Sequence, residues 1–529
     1  MKPKLNLLVA GMFLAATSSA LATVHYVWQS SPGPAPPFLT WATAATNIQD
    51  AVDAAVTGDE IVVTNGTYAT GGQMDPNGDY RCVVVDKPLT LQSVNGPQTT
   101  VIDGSWWQPL GCVYLTNGAT LFGFTLTNGV ADNGGGVYCE STSAVLSNCV
   151  LTGNSAYGDG AGAYGGTLNN CTLTGNSADD WGGGAFGGTL NNCTLTGNSA
   201  VYGGYGGGTY GGTLNNCTLT GNSVSGWGGS GGGAYNCTLN NCSLSGNSAN
   251  AHYFPPSPMR EFGYCVGGLG GGAYGSTLNN CTLTDNSANG YSRFPLFYYA
   301  EGGGAYSCTL NNCIVYFNSD SNGGNYDSSS TLNYCCAMPM PTNGVGNISA
   351  DPQLASASHL SAESPCIGAG SATYASGTDI DGEAWAIRPS IGCDEYHAGA
   401  VTGPLTVSLT ATLTNVSIGY PVGLTAFIEG RTDLSVWEFG DGFVQVNEPY
   451  TSHTWTAPGD YLVALWAFND SYPEGVSATV TVRVLDHPVQ YVALGSTNRT
   501  RSRPTCPGRR RPPTSRMRWM HGSGGRWCW

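Results

Sequence analysis

From about residue 134 the chain repeats a single order of small, polar and apolar positions: Gly-Gly-Gly-Ala-Tyr, then Thr-Leu-Asn-Asn-Cys-Thr-Leu-Thr-Gly-Asn-Ser-Ala. The apolar Cys and Leu of the second phrase stand two residues apart, with Thr between and after them. That is the alternation of a strand with one face buried. The cysteine of the phrase falls at Cys149, Cys171, Cys193, Cys217, Cys242, Cys281, Cys313 and Cys335. The spacings are 22, 22, 24, 25, 39, 32 and 22, so a base period of 22 takes insertions of 2, 3, 17 and 10 residues. Every insertion lies between Asn-Ser-Ala and Gly-Gly-Gly, hence on one edge. A fixed period with additions at one point is the sequence form of a solenoid. The Thr, Asn, Gly and aromatic texture excludes a helical one.

Three short strands fit a coil of this length. In 167–176, Leu168 points inward, Asn169 and Asn170 turn a corner, Cys171 and Leu173 point inward, and Thr172 and Thr174 face out. Stacking at the strand spacing of about 4.8 Å then sets an Asn ladder at the corner and a Cys ladder inside. An earlier coil, Thr120 to Thr127, puts Phe124 in the cysteine slot, so the slot asks for an apolar filler. Parallel Cβ vectors about 4.8 Å apart miss the roughly 3.8 Å of a disulfide and cannot converge tetrahedrally on zinc. The ladder is therefore read as buried free thiols. Cys237 with Cys242 and Cys308 with Cys313 sit five apart across a corner, and Cys366 with Cys393 is the better disulfide candidate for an exported chain.

Two other patterns flank the repeat. Ile48, Ala51, Val52 and Ala55 have helical spacing, predicting a short amphipathic helix near 47–55 that caps the open end of the solenoid. Residues 405–485 alternate Val, Thr and Leu as in the strands of a sandwich.

These phrases carry resemblances. Residues 24–396, with the entry helix and the closing Ser364-Pro365-Cys366 and Ile391-Gly392-Cys393-Asp394-Glu395-Tyr396, resemble a bacterial right-handed parallel β-helix of the pectate-lyase-like superfamily. The repeats are similar to those of polymorphic outer membrane proteins, through Gly183-Gly184-Ala185-Phe186 and Leu173-x-x-Asn176. The membrane β-barrel that ends that family is missing here. Trp437-Glu438-Phe439-Gly440-Asp441-Gly442, His453-Thr454-Trp455 and Pro458-Gly459-Asp460-Tyr461 resemble a polycystic-kidney-disease (PKD) domain, implying a seven-stranded immunoglobulin-like sandwich with Trp437 and Tyr461 as core and corner residues. The expected fold is thus all-β: a β-helix over 23–400 and a sandwich over 401–487.

Charge narrows the partners. Formal net charge is -16, and 9 of the 18 basic side chains crowd into residues 499–529, leaving the preceding chain strongly acidic. Such a surface repels phosphate backbones, which disfavours nucleic acid. Lys2 and Lys4, an apolar run from Leu5 to Ala16 and Ala20-Leu21-Ala22 make a secretory signal over 1–22. No later run is long and apolar enough to cross a bilayer.

The expected setting is secreted or cell-surface, with polysaccharide or protein as partner. The lyase resemblance implies acidic residues, with calcium in some relatives, and an Arg or Lys base on an outer strand face. Here Arg81, Lys87, Arg260, Arg293 and Arg388 are the permanent cations of 45–400, and none is expected on a repeated strand. Asp159, Asp179, Asp180 and Asp285 lie in or beside turns, so no catalytic residue, cofactor or metal ligand is assigned, with calcium left open. The irregular feature is the pair of long insertions. His252, Tyr253, Phe254, Arg260 and Glu261 in one, and Arg293, Phe294, Phe297, Tyr298 and Tyr299 in the next, join Trp181 and Trp227 in an aromatic stripe with a few charges. Such a stripe stacks on sugar rings or meets a protein partner. The readings are a non-catalytic surface protein with an adhesive or spacer role, a carbohydrate-binding or polysaccharide-cleaving protein, and a structural filler.

Residues 488–498 begin with Val489-Gln490-Tyr491-Val492, an echo of Val24-His25-Tyr26-Val27, and 499–529 then lose all pattern. Gly508 to Met520 can be encoded by bases that, read one base earlier, spell Trp41 to Ala54. Residues 499–529 are accordingly expected to be a frameshifted copy of the start of a second β-helix. Resequencing the gene should show a frame error there; an intact reading frame would remove this expectation.

Overall fold

The computed structural model describes residues 22–486, except 71, 106–109, 227–228, 251, 255–263, 294–295, 299 and 400. The signal segment before residue 22 and everything from 487 onward lie outside the described residues. The strands from Val24–Val27 to Cys336–Ala337 stack as the right-handed parallel β-helix. The coils from Val137 to Asn289 use four short strands rather than three, as in Ala163–Tyr164, Thr167–Asn169, Thr172–Thr174 and Ser177–Ala178. The extra strand is the short Ser-Ala segment, two or three residues long, too short to leave a period in sequence.

Among the described residues the coils stack into four sheets. The first has 12 strands, Val24–Val27 to Thr331–Asn333; the second has 11, Gly66–Tyr68 to Cys336–Ala337. The third has 7 strands, Val130–Ala131 to Ser287–Asn289, and the fourth has 10, Gln73–Met74 to Ala305–Tyr306. Pairing is parallel and in register, so Leu168 lies opposite Leu190 and Thr172 opposite Thr194. The exception is the hairpin of Gln73–Met74 with Tyr80–Val85.

The corners explain the sequence. Asn170 turns the first corner with φ 52°, and Gly175 turns the next with φ 63°. This left-handed conformation suits Asn and Gly. No atom lies within 4 Å of a Cβ built on Gly175, so conformation fixes that glycine. Space fixes Gly184, whose Cβ would meet the Gly208 carbonyl at 2.5 Å.

Two asparagine ladders run along the helix. The outer one follows the first Asn of each Asn-Asn pair: Asn191 donates to Asn169 Oδ1 at 2.9 Å and Asn215 to Asn191 Oδ1 at 2.8 Å. The inner one follows the Asn of Gly-Asn-Ser, through Asn154, Asn176, Asn198, Asn222, Asn247 and Asn286, each fully buried. Asn176 Nδ2 donates to Leu151 O (3.0 Å) and to Asn198 Oδ1 (2.9 Å), which also accepts from Asn176 N at 3.0 Å. Every donor and acceptor at that corner is thereby satisfied without water. Between the ladders, Leu168, Cys171 and Leu173 are buried and Thr172 and Thr174 half-buried, as the alternation requires. Phe124 fills the cysteine slot at 0 % exposure.

The ends are closed differently. At the start, helix α1 (Ile48–Ala54) covers the core with Ile48, Ala51 and Val52. Asn47 caps it by accepting from Asp50 N at 2.8 Å, and Lys87 Nζ donates to Val52 O at 3.0 Å at the other end. At the far end the chain folds back over the coils. Asn312, Asn280 and Asn241 donate to Ser371 O (2.8 Å), Tyr374 O (3.0 Å) and Thr378 O (2.7 Å), and Asn216 to Asp379 O. Residues 371–383 thus form a strap, its first part running along the corner asparagines.

This closure corrects the disulfide expectation. Cys366 and Cys393 are both free, buried thiols. Their segments meet, Ile391 N donating to Cys366 O at 2.9 Å, but the side chains part. Cys366 lies against Cys336, and Cys393 donates to Ser358 O at 3.5 Å, its own N–H drawn to Thr282 Oγ1. Cys237, Cys242, Cys308 and Cys313 are free as well.

After the strap comes a sandwich of eight strands rather than seven, in sheets of three and five. Trp437, Phe439, Trp455, Val463 and Leu465 fill it. Trp437 Nε1 donates to Glu448 O at 2.8 Å, and the Tyr461 hydroxyl donates to Ala457 O at 3.0 Å, closing a corner.

Asn198→Ala should strip the acceptor from Asn176 N and Nδ2 inside the wall, costing about 3 kcal/mol or more, against about 1 kcal/mol for Asn191→Ala on the surface. Guanidinium unfolding midpoints of the two variants check the order; equal shifts would refute it.

Candidate binding surface

The fourth sheet carries the feature that could meet a partner. Its two-residue strands bury Ala and turn the next residue outward, so one aromatic ring per coil lands on the same column. Tyr114, Tyr138, Tyr164, Phe186, Tyr210, Tyr235, Tyr274 and Tyr306 stack in sequence, with centroids 4.7–5.9 Å apart and planes within 11°. The ring faces are used on one another. What the column offers outward is ring edges and a row of phenol hydroxyls.

Trp181 widens the column. It pairs with Tyr205 in a single bridge and stacks on Tyr210 at 5.0 Å and Phe186 at 6.3 Å, while Tyr205 leans on Tyr235 at 4.8 Å. Tyr157 and Tyr202, in the turns that precede this sheet, are 64 % and 65 % exposed. Three carboxylates share the corner. Burial, with the charge of Asp180 beside it, pushes the Asp159 carboxyl up to about 6, and Asp179 is raised for the same two reasons. Turn positions hid this grouping in the sequence, because nothing in the chain marks Asp159 and Asp180, one coil apart, as neighbours.

The long insertions leave from the same edge. Strands His252–Phe254 and Tyr264–Val266 form one antiparallel hairpin, and Tyr291–Arg293 with Leu296–Tyr298 form another. They follow Ser248–Asn250 and Ser287–Asn289 of the third sheet, as the position of the insertions requires. His252, Tyr253, Phe254, Arg293, Phe297 and Tyr298 are thus placed on these hairpins by their backbone. Trp227, Arg260, Glu261, Phe294 and Tyr299 lie outside the described residues. Of the expected stripe, Trp181 is the member whose ring contacts are defined.

Arg81 does lie on a sheet strand, Tyr80–Val85, paired with Gly111–Leu115 of the fourth sheet. The strand escaped notice because it precedes the regular repeat. Arg81 is nevertheless no base for catalysis. Its side chain is wholly buried, with Nε 2.9 Å from Asp75, Nη2 3.1 Å from Asp79, and further bonds to the Asn133 and Gly134 carbonyls. A Cβ on Gly111 would meet Arg81 Nη1 at 2.4 Å, so that glycine makes the room. Lys87 is spent on the capping helix.

At the junction with the sandwich, Tyr450 reaches Thr284 Oγ1 at 3.2 Å and packs near Phe317. Arg431 spans to the strap, its Nε 3.2 Å from Asp381 and its Nη2 2.5 Å from Glu383. Burial and the neighbouring Asp351 push the Glu448 carboxyl up to about 7.

Comparison with known proteins gives the sandwich a family: its match covers residues 405–484. Residues 405–484 are a PKD domain. No curated protein matches the chain in sequence. Among solved structures, a rhamnogalacturonan lyase is similar at 13% identity and TM-score 0.34, over 59% of this chain and 87% of that one. A pectin methylesterase solved with a hexasaccharide is similar at 11% identity and TM-score 0.23, over 60% and 79%. A mannuronic acid specific family 6 lyase from human gut microbiota follows at 11% identity and TM-score 0.22, over 55% and 75%. Among the described residues no helix is long and apolar enough to cross a membrane.

The PKD junction gives a pH dependence. With its carboxyl raised from 4.5 to about 7, Glu448 binds a proton more tightly in the folded chain, so its stabilising share is full below about pH 4.5 and is lost as pH rises through 7. Glu448→Gln should therefore leave stability unchanged at pH 4 and raise it at pH 8 by about 1–2 kcal/mol, a figure reduced for partial exposure. Calorimetric melts at the two pH values check it; an equal effect at both would count against it.

Proposed function

We propose that this is an exported, non-catalytic surface protein that adheres through the aromatic edge of its β-helix, to a polysaccharide or a protein displayed outside the cell. The observation that carries the reading is the ring column with Trp181, Tyr157 and Tyr202 beside it. A long, regular, half-exposed aromatic strip is costly to leave in water and is typical of a contact surface.

The charges around it narrow the ligand. Asp159, Asp179 and Asp180 stand at the Trp181 rung, and Arg81 and Lys87 are engaged by Asp75, Asp79 and the capping helix. Three carboxylates at one rung repel uronate polymers. The ligand expected is a neutral glycan, an amino sugar polymer, or a basic protein segment. The PKD domain then acts as a spacer.

A second reading keeps one specific observation. A carboxyl raised to about 6 next to another acid is the pattern of a general acid and its partner, so Asp159 with Asp180 could cleave a glycosidic bond. Glycan-array binding by the full chain, with a parallel assay for released sugars and unsaturated products, separates the two. Binding to neutral glycans or amino sugars without turnover, reduced at least tenfold in Trp181→Ala, is the expected result. Turnover abolished by Asp159→Asn would replace adhesion with hydrolysis, and binding confined to uronates would sink the ligand assignment.

A further inference from the structure

The closing segment brings together three side chains that no repeat motif contains. His359, Asp381 and Asp394 each offer one ligand atom within 4.8 Å of the other two. They come from separate stretches: the turn after Asp351, the strap, and the closing Cys393-Asp394-Glu395 phrase. They line a partly enclosed cavity shared with His397 and with Arg431 of the PKD domain.

Each of the three is already aimed by a neighbour. The Nδ1 of His359 is held by Ser356 Oγ at 2.8 Å and Ser358 Oγ at 3.2 Å, which leaves Nε2 facing the acids. Asp394 Oδ2 accepts from Leu360 N at 2.8 Å, and Asp381 Oδ2 is 3.2 Å from Arg431 Nε. Partners that fix the far side of each ligand are a regular part of metal sites.

Asp394 supplies the independent observation. It is only 5 % exposed, and its Oδ2 accepts from Leu360 N. A buried carboxylate is costly unless a cation meets it. The charge that reaches it is that of His359. The Arg431 fork is used on Asp381 and Glu383, and His359 Nε2 points to Asp381 at 3.1 Å.

We propose that His359, Asp381 and Asp394 bind one divalent transition ion of the zinc class, through His359 Nε2 and one oxygen of each carboxylate. An imidazole with two carboxylates suits zinc or manganese, whereas calcium wants six to eight oxygens and gains nothing from imidazole. On binding, His359 Nε2 exchanges its contact with Asp381 Oδ2 for the ion, which takes the other oxygen of Asp381 while Arg431 stays on Oδ2. The ion thus pins the strap, the closing phrase and, through Arg431, the PKD domain to one point.

The test is calorimetric titration of the metal-stripped full chain with zinc chloride, manganese chloride and calcium chloride, alongside His359→Gln, Asp394→Asn and Arg431→Gln. One zinc per chain is expected, with affinity at least tenfold above calcium, lost at least tenfold in His359→Gln and Asp394→Asn. Arg431→Gln should bind zinc at least as tightly, because a competing cation has gone. Circular dichroism shows whether each variant is folded. The cobalt-loaded wild type adds a readout independent of variants: intense visible bands of a low-coordinate ion support the site, and the weak bands of hydrated cobalt overturn it. Absence of zinc binding, or binding unchanged in folded His359→Gln and Asp394→Asn, would also overturn it.

Discussion

A parallel in-register stack imposes one demand on every coil: each polar group at a corner must find its partner in the coil above or below, since the wall has no water to offer. The inner asparagine ladder meets this demand. Its amide donates both along the column and to a leucine carbonyl, and its oxygen accepts from the backbone of the coil before, so one residue type closes the corner completely. The leucine and cysteine columns pack where they do because that corner holds the coil diameter constant. The thiols are small enough to stack without spreading the coils, and Phe124 shows that the slot also takes a larger filler in an earlier coil.

Much of this was legible in the chain. A repeat multiplies each local signal, so inward Leu168, Cys171 and Leu173, outward Thr172 and Thr174, the outer asparagine ladder and the edge carrying the insertions followed from spacing alone. What was not legible were features without a period. The Ser-Ala strand is two or three residues long, too short to alternate. The inner role of Asn176 and its equivalents looks in sequence like any Gly-Asn turn. Arg81 sits on a strand outside the regular repeat, and its burial depends on Asp75, Asp79 and the space at Gly111.

The site residues divide on the same line. Trp181 falls between the Ser177–Ala178 and Ala185–Phe186 strands, where the repeat takes its insertions, whereas the company of Asp159 and Asp180 depends on stacking turns from different coils. The cluster of His359, Asp381 and Asp394 joins three stretches of the closing segment, and only the fold-back of the strap brings them together. The expected Cys366–Cys393 bond failed for a related reason: proximity of two segments says nothing about which way their side chains point.

The ring column has a consequence for how such a chain changes over time. Eight successive coils each add one ring in nearly the same orientation, and the 22-residue coils join one another alike. Duplication or loss of a 22-residue unit would therefore shift all later coils along the axis without moving any side chain off its column. Length becomes a quantity that unequal recombination can tune in single steps, while the chemistry of the surface stays the same at each step.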